Sequence, residues 1–404
     1  MPADPSPSSL PLAGIRVLEF TQNIMGPSAG LILADLGADV IKIEPAPAGD
    51  ATRRLAGFAA GFFGYFNRNK RSLAVDLKSA PGRALVHRLA TGADVAIENY
   101  APGTMDRLGC GYDALAALNP GLVYCALKGF LSGPYEHRPA LDEVVQFMGG
   151  LAYMTGPPGQ PLRAGTSVVD IMGGTFAVVA ILCALRQRDT TGRGQLVKSA
   201  LFESTAFLMG QHMAGEAITG EEVPPMPARR GGWGIYQPFA TSDGDQVFVG
   251  VTSNNHWTRF CQVFDRPDLL SDARLATNED RVAARAWLIP IIAALLGGFT
   301  KADIIGRCEQ ASIPYAPVAR TADLFDDPHL NASGGLVAAT LPGGIAAKLP
   351  RLPIELAGMR PGLYRQAPRF GEHTREILSD AGLDQDEIAA LEREGVIVVD
   401  QDAD

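Results

Sequence analysis

Short apolar strands alternate with helices through the N-terminal half of the chain, and this alternation limits the fold more than any other feature. Residues 15–20 and 38–44 are apolar and β-branched, and an apolar segment with helical periodicity lies between them at 29–36. Further strands are predicted at 73–77, 95–99 and 122–127, with helices at 82–90 and 113–118. Strands that alternate with helices at this spacing predict an α/β fold with a mostly parallel sheet, covered on both faces.

A change of pattern and a proline-rich segment divide the rest of the chain. Long helices are predicted at 142–154, 171–188 and 200–214, with a strand at 195–198. Prolines crowd the segment 223–227, and strands at 234–239 and 246–251 follow it as a hairpin. From about residue 320 loops predominate, although an apolar run occupies 396–399. The predicted parts are a large domain at 1–222, a smaller α+β domain at 223–320, and a C-terminal segment at 321–404 that returns to the large domain.

The charge balance narrows the classes of partner. The 404 residues include 35 Lys and Arg against 44 Asp and Glu, which gives a formal net charge of −9. Such a balance argues against broad binding to nucleic acid or to an anionic membrane surface. Any anionic ligand must therefore be held by a local cluster of cations.

The longest apolar stretch, the N-terminal residues and the cysteines bear on membrane insertion, secretion and metal binding. The longest apolar stretch, 171–185, is shorter than the roughly 18–20 residues of a membrane span and is interrupted by glycines, which predicts a buried helix. Residues 1–11 lack the basic start and the apolar block of a secretory signal, so we expect a cytoplasmic protein. The 5 cysteines are widely spaced without a CxxC or Cys/His ligand pattern, and neither disulfides nor a metal site are expected.

The first strand–helix–strand unit is open to a dinucleotide-binding interpretation, because Glu44 ends the second strand where a ribose-binding acid would lie. The loop at 21–30 does not favour it. That loop contains no GxGxxG, and Pro27 lacks an N–H group that a pyrophosphate would need.

The 6 histidines form no triad or HExxH motif, so serine-hydrolase and zinc-hydrolase chemistry are weak alternatives.

Cations of the first domain cluster at strand ends and in the loops that follow strands. Taken singly, such cations are typical of a solvated surface. Ligands of α/β sheets nevertheless collect at the carboxyl ends of strands, which favours a phosphate-bearing ligand there. Asn99 ends one predicted strand and Lys128 follows another, so the two are expected to face one crevice. The clustered cations are Arg53, Arg54, Arg68, Lys70, Arg71, Lys78, Arg107 and Lys128.

Asp170 stands immediately before the predicted helix 171–188, in the N-cap position, and admits two interpretations. In the first it is only a capping carboxylate. In the second, the positive end of the helix dipole keeps it ionised even where it is poorly solvated, and it attacks an acyl group beside a pocket. Gly173 and Gly174 would let a substrate or another backbone approach this helix closely.

Sequence blocks in a fixed order carry a family resemblance over nearly the whole chain. The blocks are GIRVLE at 14–19, GP at 26–27, LADLGADVIKIE at 33–44, GD at 49–50, NKRSL at 69–73, ADVAIEN at 93–99, KGF at 128–130, GPY at 133–135, TGRGQ at 191–195 and GEHT at 371–374. In these blocks the chain resembles the class III coenzyme A transferases, the family of formyl-CoA:oxalate and carnitine CoA-transferases. So many blocks in the same order make the resemblance highly specific.

The resemblance implies a Rossmann-like large domain, a small domain, and a homodimer whose two chains are interlocked. It places the family's nucleophile on Asp170. It implies an aspartyl acyl anhydride, then an aspartyl-CoA thioester, with coenzyme A as a substrate and no permanently bound cofactor. By similarity, the contacts to coenzyme A fall on Asp76, Lys78, Asn99, Tyr100, Arg107, Lys128 and Gly129.

Two loops are expected to decide which acids react. A family glutamine that touches the intermediate in oxalate-type members aligns with Ile24, which disfavours oxalate. The family's glycine loop over the intermediate corresponds to Gly231, Gly232, Trp233 and Gly234. Arg229 and Arg230 lie beside this loop and would pair with a second carboxylate, unless they are only surface charges.

The predicted function is transfer of CoA from an acyl-CoA donor to a carboxylic acid, with a C4–C5 dicarboxylate such as succinate, mesaconate or citramalate as acceptor, either between molecules or within one. The resemblance leaves one enzymatic alternative, the related α-methylacyl-CoA racemases, which move a proton at C2 with a His-Asp pair. Here the matching residues are Leu141 and Asp142, and His137 lies four residues too early. A non-catalytic CoA-binding subunit is the remaining alternative, and it would require Asp170 to be a cap only.

Overall fold

The computed structural model describes residues 6–228 and 232–400. The strands are β1 Arg16–Phe20, β2 Asp39–Pro45, β3 Arg71–Val75, β4 Val95–Glu98, β5 Val123–Lys128, β6 Leu196–Ala200, β7 Ile235–Ala240, β8 Gln246–Val251, β9 Tyr315–Pro317, β10 Leu336–Leu341, β11 Ile345–Pro350 and β12 Ile397–Val398. The α-helices are α1 Met25–Asp35, α2 Phe62–Phe66, α3 Ala80–Ala90, α4 Thr104–Arg107, α5 Tyr112–Leu118, α6 Asp142–Met148, α7 Leu151–Thr155, α8 Val168–Thr191, α9 Leu201–Thr219, α10 Asn254–Val263, α11 Pro267–Leu270, α12 Asn278–Ala283, α13 Arg285–Leu296, α14 Lys301–Gln310, α15 Pro328–Ala332, α16 Thr374–Asp380 and α17 Gln385–Arg393.

The described residues divide into two compact units. One unit holds the residues up to Pro227 and those from Pro328 onward, and the other holds Ala228–Asp327. The first unit contains a 7-stranded sheet in the order β12-β3-β2-β1-β4-β5-β6, parallel throughout except for β12, which runs antiparallel to β3. The second contains the antiparallel sheet β7-β8-β9 and a core of its own. The predicted α/β class with a mostly parallel sheet is confirmed.

Alternation along each central strand builds two cores, one on each face of the large sheet. Leu18 and Phe20 of β1 join the core on one face, which α3, α5, α16 and α17 cover. Val17, the neighbour of Leu18 in β1, joins the core on the other face with Val40 and Val95, beneath α1 and α8. Both faces of the sheet are therefore buried, as a parallel sheet requires.

The structure differs from the sequence-based elements at several places. The helix expected at 142–154 is split into α6 and α7, because Gly150 adopts a left-handed φ of 84° between them. Helix α1 begins at Met25, one residue before the start that Gly26 and Pro27 predict, since Pro27 is tolerated in a first helical turn. The hairpin β10–β11 lies in the segment expected to be mostly loop.

Helix α8 is longer and less buried than expected. It spans 24 residues and, by length and composition alone, is apolar enough to cross a membrane, a test that core helices of water-soluble proteins also pass. Its inward face packs on α1 and the sheet. Its outward face leaves Ile171, Val179 and Leu182 exposed in the single chain, so the helix expected to be buried at 171–185 is buried on its inward face only.

Several cations that the sequence placed with the ligand cluster are instead buried in ion pairs. Lys70 Nζ lies 2.7 Å from Glu19 Oε2, and both side chains are fully buried. Burial lowers the pKa of Lys70 to about 8, although the Glu19 carboxylate opposes the shift. Arg68 pairs with Asp35 in the same way, at 2.6 Å. Lys70 and Arg68 are therefore structural residues of the core, because a buried charge is tolerated only with a partner.

The pair formed by Glu19 and Lys70 depends on a glycine in the facing helix. A Cβ atom at Gly30 of α1 would lie 1.6 Å from Glu19 Oε2, so any side chain there would displace the buried carboxylate. The glycine is thus required by a close approach between β1 and α1.

We expect Gly30→Ala to lower the free energy of unfolding by about 3 kcal/mol or more, because it separates a buried ion pair. Gly306→Ala is the matched control, since Gly306 lies on the exposed surface of α14 and a Cβ atom added there would have no neighbour within 4 Å. In urea unfolding the control should be neutral or stabilising by up to roughly 1 kcal/mol. Equal effects of the two substitutions would contradict this explanation.

Candidate active site

A cavity of about 580 Å³ lies at the carboxyl edge of the large sheet. The neighbouring strands β1 and β4 are followed by chain segments that leave in opposite directions across the sheet, to β2 on one side and to β5 on the other. Such a switch point is where α/β sheets bind ligands. The predicted site residues Asn99, Tyr100, Lys128, Gly129 and Asp170 all line this cavity.

Asp170 lies inside the first turn of α8 and does not cap it, because the helix begins at Val168. The cap comes from a different helix. Asp142 Oδ2 accepts hydrogen bonds from the N–H groups of Val169, at 2.9 Å, and of Asp170, at 3.1 Å. The expectation that Asp170 is the N-cap is therefore wrong, and its own carboxylate makes no hydrogen bond within the described residues.

The electrostatics of Asp170 also differ from the expectation. Burial raises the pKa of Asp170 to about 7, the nearby negative charge of Asp142 contributes to the same shift, and Arg163 opposes both effects. The helix N-terminus was expected to keep this carboxylate ionised, but Asp142 occupies the N–H groups that would have done so. Asp170 thus titrates near neutral pH, where a carboxylate is a more basic nucleophile than usual.

The sequence singled out Asp142 only as the position of the racemase aspartate and did not identify its contact with α8. It opens α6 and is buried, and Gln146 Nε2 donates to its second oxygen at 2.5 Å. An acidic residue at the start of a predicted helix is an ordinary first-turn signal. Nothing local connects it with Val169 in the first turn of α8, which lies 27 residues further along the chain.

The glycine pair at the start of α8 serves a close approach between helices. A Cβ at Gly174 would lie 2.1 Å from Ser28 Oγ and 2.7 Å from the carbonyl oxygen of Met25. A Cβ at Gly173 would lie 2.5 Å from the Met25 side chain. Of the two uses considered for these glycines, contact with another backbone is the one observed, and it brings α1 against the turn that carries Asp170.

Asn99 and Lys128 line the cavity, and both are already engaged by the protein. Asn99 exchanges two hydrogen bonds with the backbone of Gln22, at 2.9 and 2.7 Å, and so joins the end of β4 to the loop before α1. Lys128 Nζ lies 2.5 Å from Glu98 and donates to the Tyr100 carbonyl oxygen at 2.8 Å. These contacts position the wall of the cavity, and the predicted contacts of Asn99 and Lys128 to coenzyme A remain a prediction.

Ile24 does not line the cavity. Its side chain is buried in a small cluster with Leu31 and Phe66, so the expectation that it faces the substrate is wrong. Gln22 and Asn23 of the same loop line the cavity instead. The loop turns sharply at Asn23, whose φ is 63°. Because of this turn, Gln22 and Asn23 face the cavity and Ile24 faces the core.

Other predicted contacts lie outside the lining of this cavity. Asp76 and Lys78 follow β3, two strands away from β1, and Asp76 Oδ1 accepts from the Lys78 N–H group. Arg107 is exposed on α4 and donates to Thr104. The roles proposed for these three in binding coenzyme A stay predictions.

The glycine loop belongs to the second unit. Arg229, Arg230 and Gly231 lie outside the described residues. Asn278 donates to the Gly232 carbonyl oxygen at 2.9 Å, and Arg285 donates to that of Trp233 at 3.0 Å. The Gly234 N–H group donates to Asn278 at 3.3 Å. The described part of the loop is thus anchored on α12 and α13, and its role over an intermediate stays a prediction.

Comparison with known proteins gives a consistent result. Residues 12–374 match the family described as CoA-transferase family III. The chain is 33% identical over 397 residues to succinyl-CoA:glutarate CoA-transferase of Mus musculus, covering 96% of this chain and 91% of that protein. It is 33% identical over 398 residues to succinyl-CoA–D-citramalate CoA-transferase of Chloroflexus aurantiacus, covering 96% and 98%. A crystal structure of a CAIB/BAIF family protein from Brucella suis matches with a TM-score of 0.84 and 32% identity, covering 92% of this chain and 99% of that one.

The raised pKa of Asp170 predicts a pH-dependent stability difference. Because the folded-state pKa of about 7 exceeds the ordinary 3.8, ionisation is less favourable in the folded protein. Wild type should therefore lose stability relative to Asp170→Asn as pH rises from 5 to 8, by roughly 2–3 kcal/mol in urea unfolding. In an Asp142→Asn background this loss of stability between pH 5 and 8 should be smaller, because the negative charge of Asp142 no longer adds to the effect of burial on the pKa of Asp170. A pH-independent difference between wild type and Asp170→Asn would contradict the assignment.

Proposed function

Because the chain belongs to CoA-transferase family III, we propose that this CoA-transferase moves coenzyme A between dicarboxylic acids with Asp170 as the nucleophile. The observation that carries the proposal is the Asp170 carboxylate, partly buried beside a cavity at the switch point and free of hydrogen bonds within the described residues. The acceptor class follows from the similar enzymes, which are named for succinyl-CoA with glutarate or with D-citramalate. C4–C5 dicarboxylates are therefore the proposed donor and acceptor acids.

The first half of the reaction moves coenzyme A onto the enzyme. An oxygen of ionised Asp170 attacks the thioester carbonyl carbon and the C–S bond breaks. The thiolate of coenzyme A departs, and an acyl anhydride is formed on Asp170. The thiolate then attacks the Asp170 carbonyl carbon, and the donor acid leaves as a carboxylate. The product of this half is a thioester between Asp170 and coenzyme A.

The second half repeats these steps with the acceptor acid. The acceptor carboxylate attacks the Asp170 thioester and releases the thiolate, which then attacks the acceptor carbonyl of the new anhydride. The new acyl-CoA leaves, and Asp170 returns as a carboxylate. Each step exchanges a carboxylate and a thiolate, so neither a proton nor water is consumed, and burial of Asp170 favours the reaction by limiting hydrolysis.

The surroundings of Asp170 suit this chemistry. The hydrogen bonds from the first turn of α8 to Asp142 fix the backbone of the nucleophile. The pKa near 7 makes Asp170 more basic than an ordinary carboxylate, and the fraction ionised at neutral pH is sufficient for attack. Below that pH the protonated acid cannot attack, so the rate falls on the acidic side.

The racemase alternative lacks its acid–base pair. Asp142, at the position of the racemase aspartate, is used to cap α8. His137 is exposed and, among the described residues, does not line the cavity of Asp170. Deuterium uptake at C2 of a 2-methylacyl-CoA in deuterated buffer, without a new thioester, is the result that would favour this alternative.

We expect Asp170→Asn to lower the transfer of coenzyme A from succinyl-CoA to glutarate by at least about 10³-fold, because the amide is not a nucleophile. The variant should still bind coenzyme A, as measured by calorimetry. Asp113→Asn is the matched control, since Asp113 is an exposed aspartate in the first turn of α5. Wild type incubated with succinyl-CoA should carry a covalent adduct on the peptide that contains Asp170. Full turnover by the variant would overturn the nucleophile assignment.

A homodimer is the proposed assembly, as the family resemblance implies. It is supported by the outward face of α8 and α9, where Val179, Leu182, Phe207 and Met213 are exposed. Phe176 and Phe207 join the two helices with ring centroids 5.2 Å apart, so the exposed side chains form one surface. An apolar surface of this kind is typical of a protein interface, and a second copy of the chain is the proposed occupant.

Light scattering should accordingly give twice the chain mass of 42.7 kDa. Phe207→Glu should reduce the dimer fraction or the yield of folded protein, because it places a charge in the interface. A monomer mass across the micromolar range would contradict the proposed assembly.

A further inference from the structure

We propose that Arg138 holds the second carboxylate of the dicarboxylic substrates while the first carboxyl group reacts at Asp170. This inference rests on the function proposed above and names the residue that makes the site selective for diacids. Arg138 lines the same cavity as Asp170 and lies in the loop between β5 and α6.

The cations that line the cavity, within the described residues, are Lys128 and Arg138. Lys128 is occupied, because its Nζ lies 2.5 Å from Glu98 and donates to the Tyr100 carbonyl oxygen. The guanidinium of Arg138 makes neither a hydrogen bond nor an ion pair with any described residue. Its N–H donors are therefore available to a ligand.

The acids around the cavity make an unoccupied cation necessary for a dianionic substrate. Glu136 is paired with Lys198 at 3.1 Å, and Asp142 is occupied by backbone N–H groups of α8. Asp170 itself becomes negative when it is ready to attack. A second carboxylate brought into this cavity would be repelled by the unpaired negative charge of Asp170 unless a cation paired with it.

Arg163 is a poorer candidate for this contact. It is close enough to Asp170 to affect its pKa, but its guanidinium is bound to Glu143 and to the Ala164 carbonyl oxygen. A substrate carboxylate would have to displace these partners before it could bind Arg163. It could bind Arg138 without displacing a protein group.

Aromatic rings hold the Arg138 guanidinium without using its donors. The guanidinium carbon lies 4.8 Å from the ring centroid of Tyr135 and 6.0 Å from that of Phe130. Pro139 follows directly and disfavours helical backbone at Arg138, which limits the conformations of the loop. A planar guanidinium held in this way can bind a carboxylate through two parallel hydrogen bonds.

The test compares glutarate with pentanoate, a monoacid of the same chain length, as acceptors from succinyl-CoA. Wild type should prefer glutarate. Arg138→Met should lower kcat/KM for glutarate relative to pentanoate by about 10- to 100-fold, because hydrogen bonds to a charged group are lost. Arg138→Lys should retain part of the preference. Arg375→Met is the control, since Arg375 is exposed on α16 and outside the cavity lining.

The outcomes separate this inference from the proposed function. If wild type transfers coenzyme A to pentanoate as readily as to glutarate, both the diacid function and the role of Arg138 are overturned. If wild type prefers glutarate and Arg138→Met keeps that preference, only the role of Arg138 is overturned. Equal losses for both acceptors with a raised KM for succinyl-CoA would assign Arg138 to coenzyme A instead. The role of Arg138 would also be overturned if the double variant Arg229→Met/Arg230→Met lost the preference for glutarate while Arg138→Met kept it.

Discussion

The contact between Asp142 and the first turn of α8 is the interaction on which the candidate site depends. A helix N-terminus presents N–H groups without partners, and here a buried carboxylate from α6 accepts from two of them. This places a second negative charge beside Asp170 and removes the stabilisation that the helix end would have given it. One contact therefore fixes the position of Asp170 and, together with burial, raises its pKa into the neutral range.

The packing of α1 and α8 on the large sheet places the first turn of α8 beside the cavity. Gly173 and Gly174 allow α8 to approach α1, and α1 in turn sits over β1 because Gly30 leaves room for Glu19. The buried pair of Glu19 and Lys70 lies beneath the same helix. Ion pairs of this kind contribute little net stability compared with an apolar core, but losing one partner is costly, so they define a single packing arrangement.

The cations of the large unit fall into two classes that the sequence does not distinguish. Lys70, Arg68 and Lys128 are engaged by carboxylates. The guanidinium of Arg138 lies near two aromatic rings and forms no hydrogen bond or ion pair with a described residue. An engaged cation shapes the protein, and an unengaged one in a cavity is available to a ligand. The proposed selectivity for diacids follows from this difference and not from the number of cations.

The sequence by itself determined the α/β class, the parallel sheet and the family, because strand and helix periodicity and ordered motif blocks are local patterns. It also identified Asp170 through its resemblance to the family, together with four other residues that line the same cavity: Asn99, Tyr100, Lys128 and Gly129. Only the tertiary structure decided that Ile24 faces the core, that Asp142 caps α8, and that Lys70 is buried. Burial, ion pairing and pKa depend on groups that are distant along the chain, and no local pattern records which of them meet.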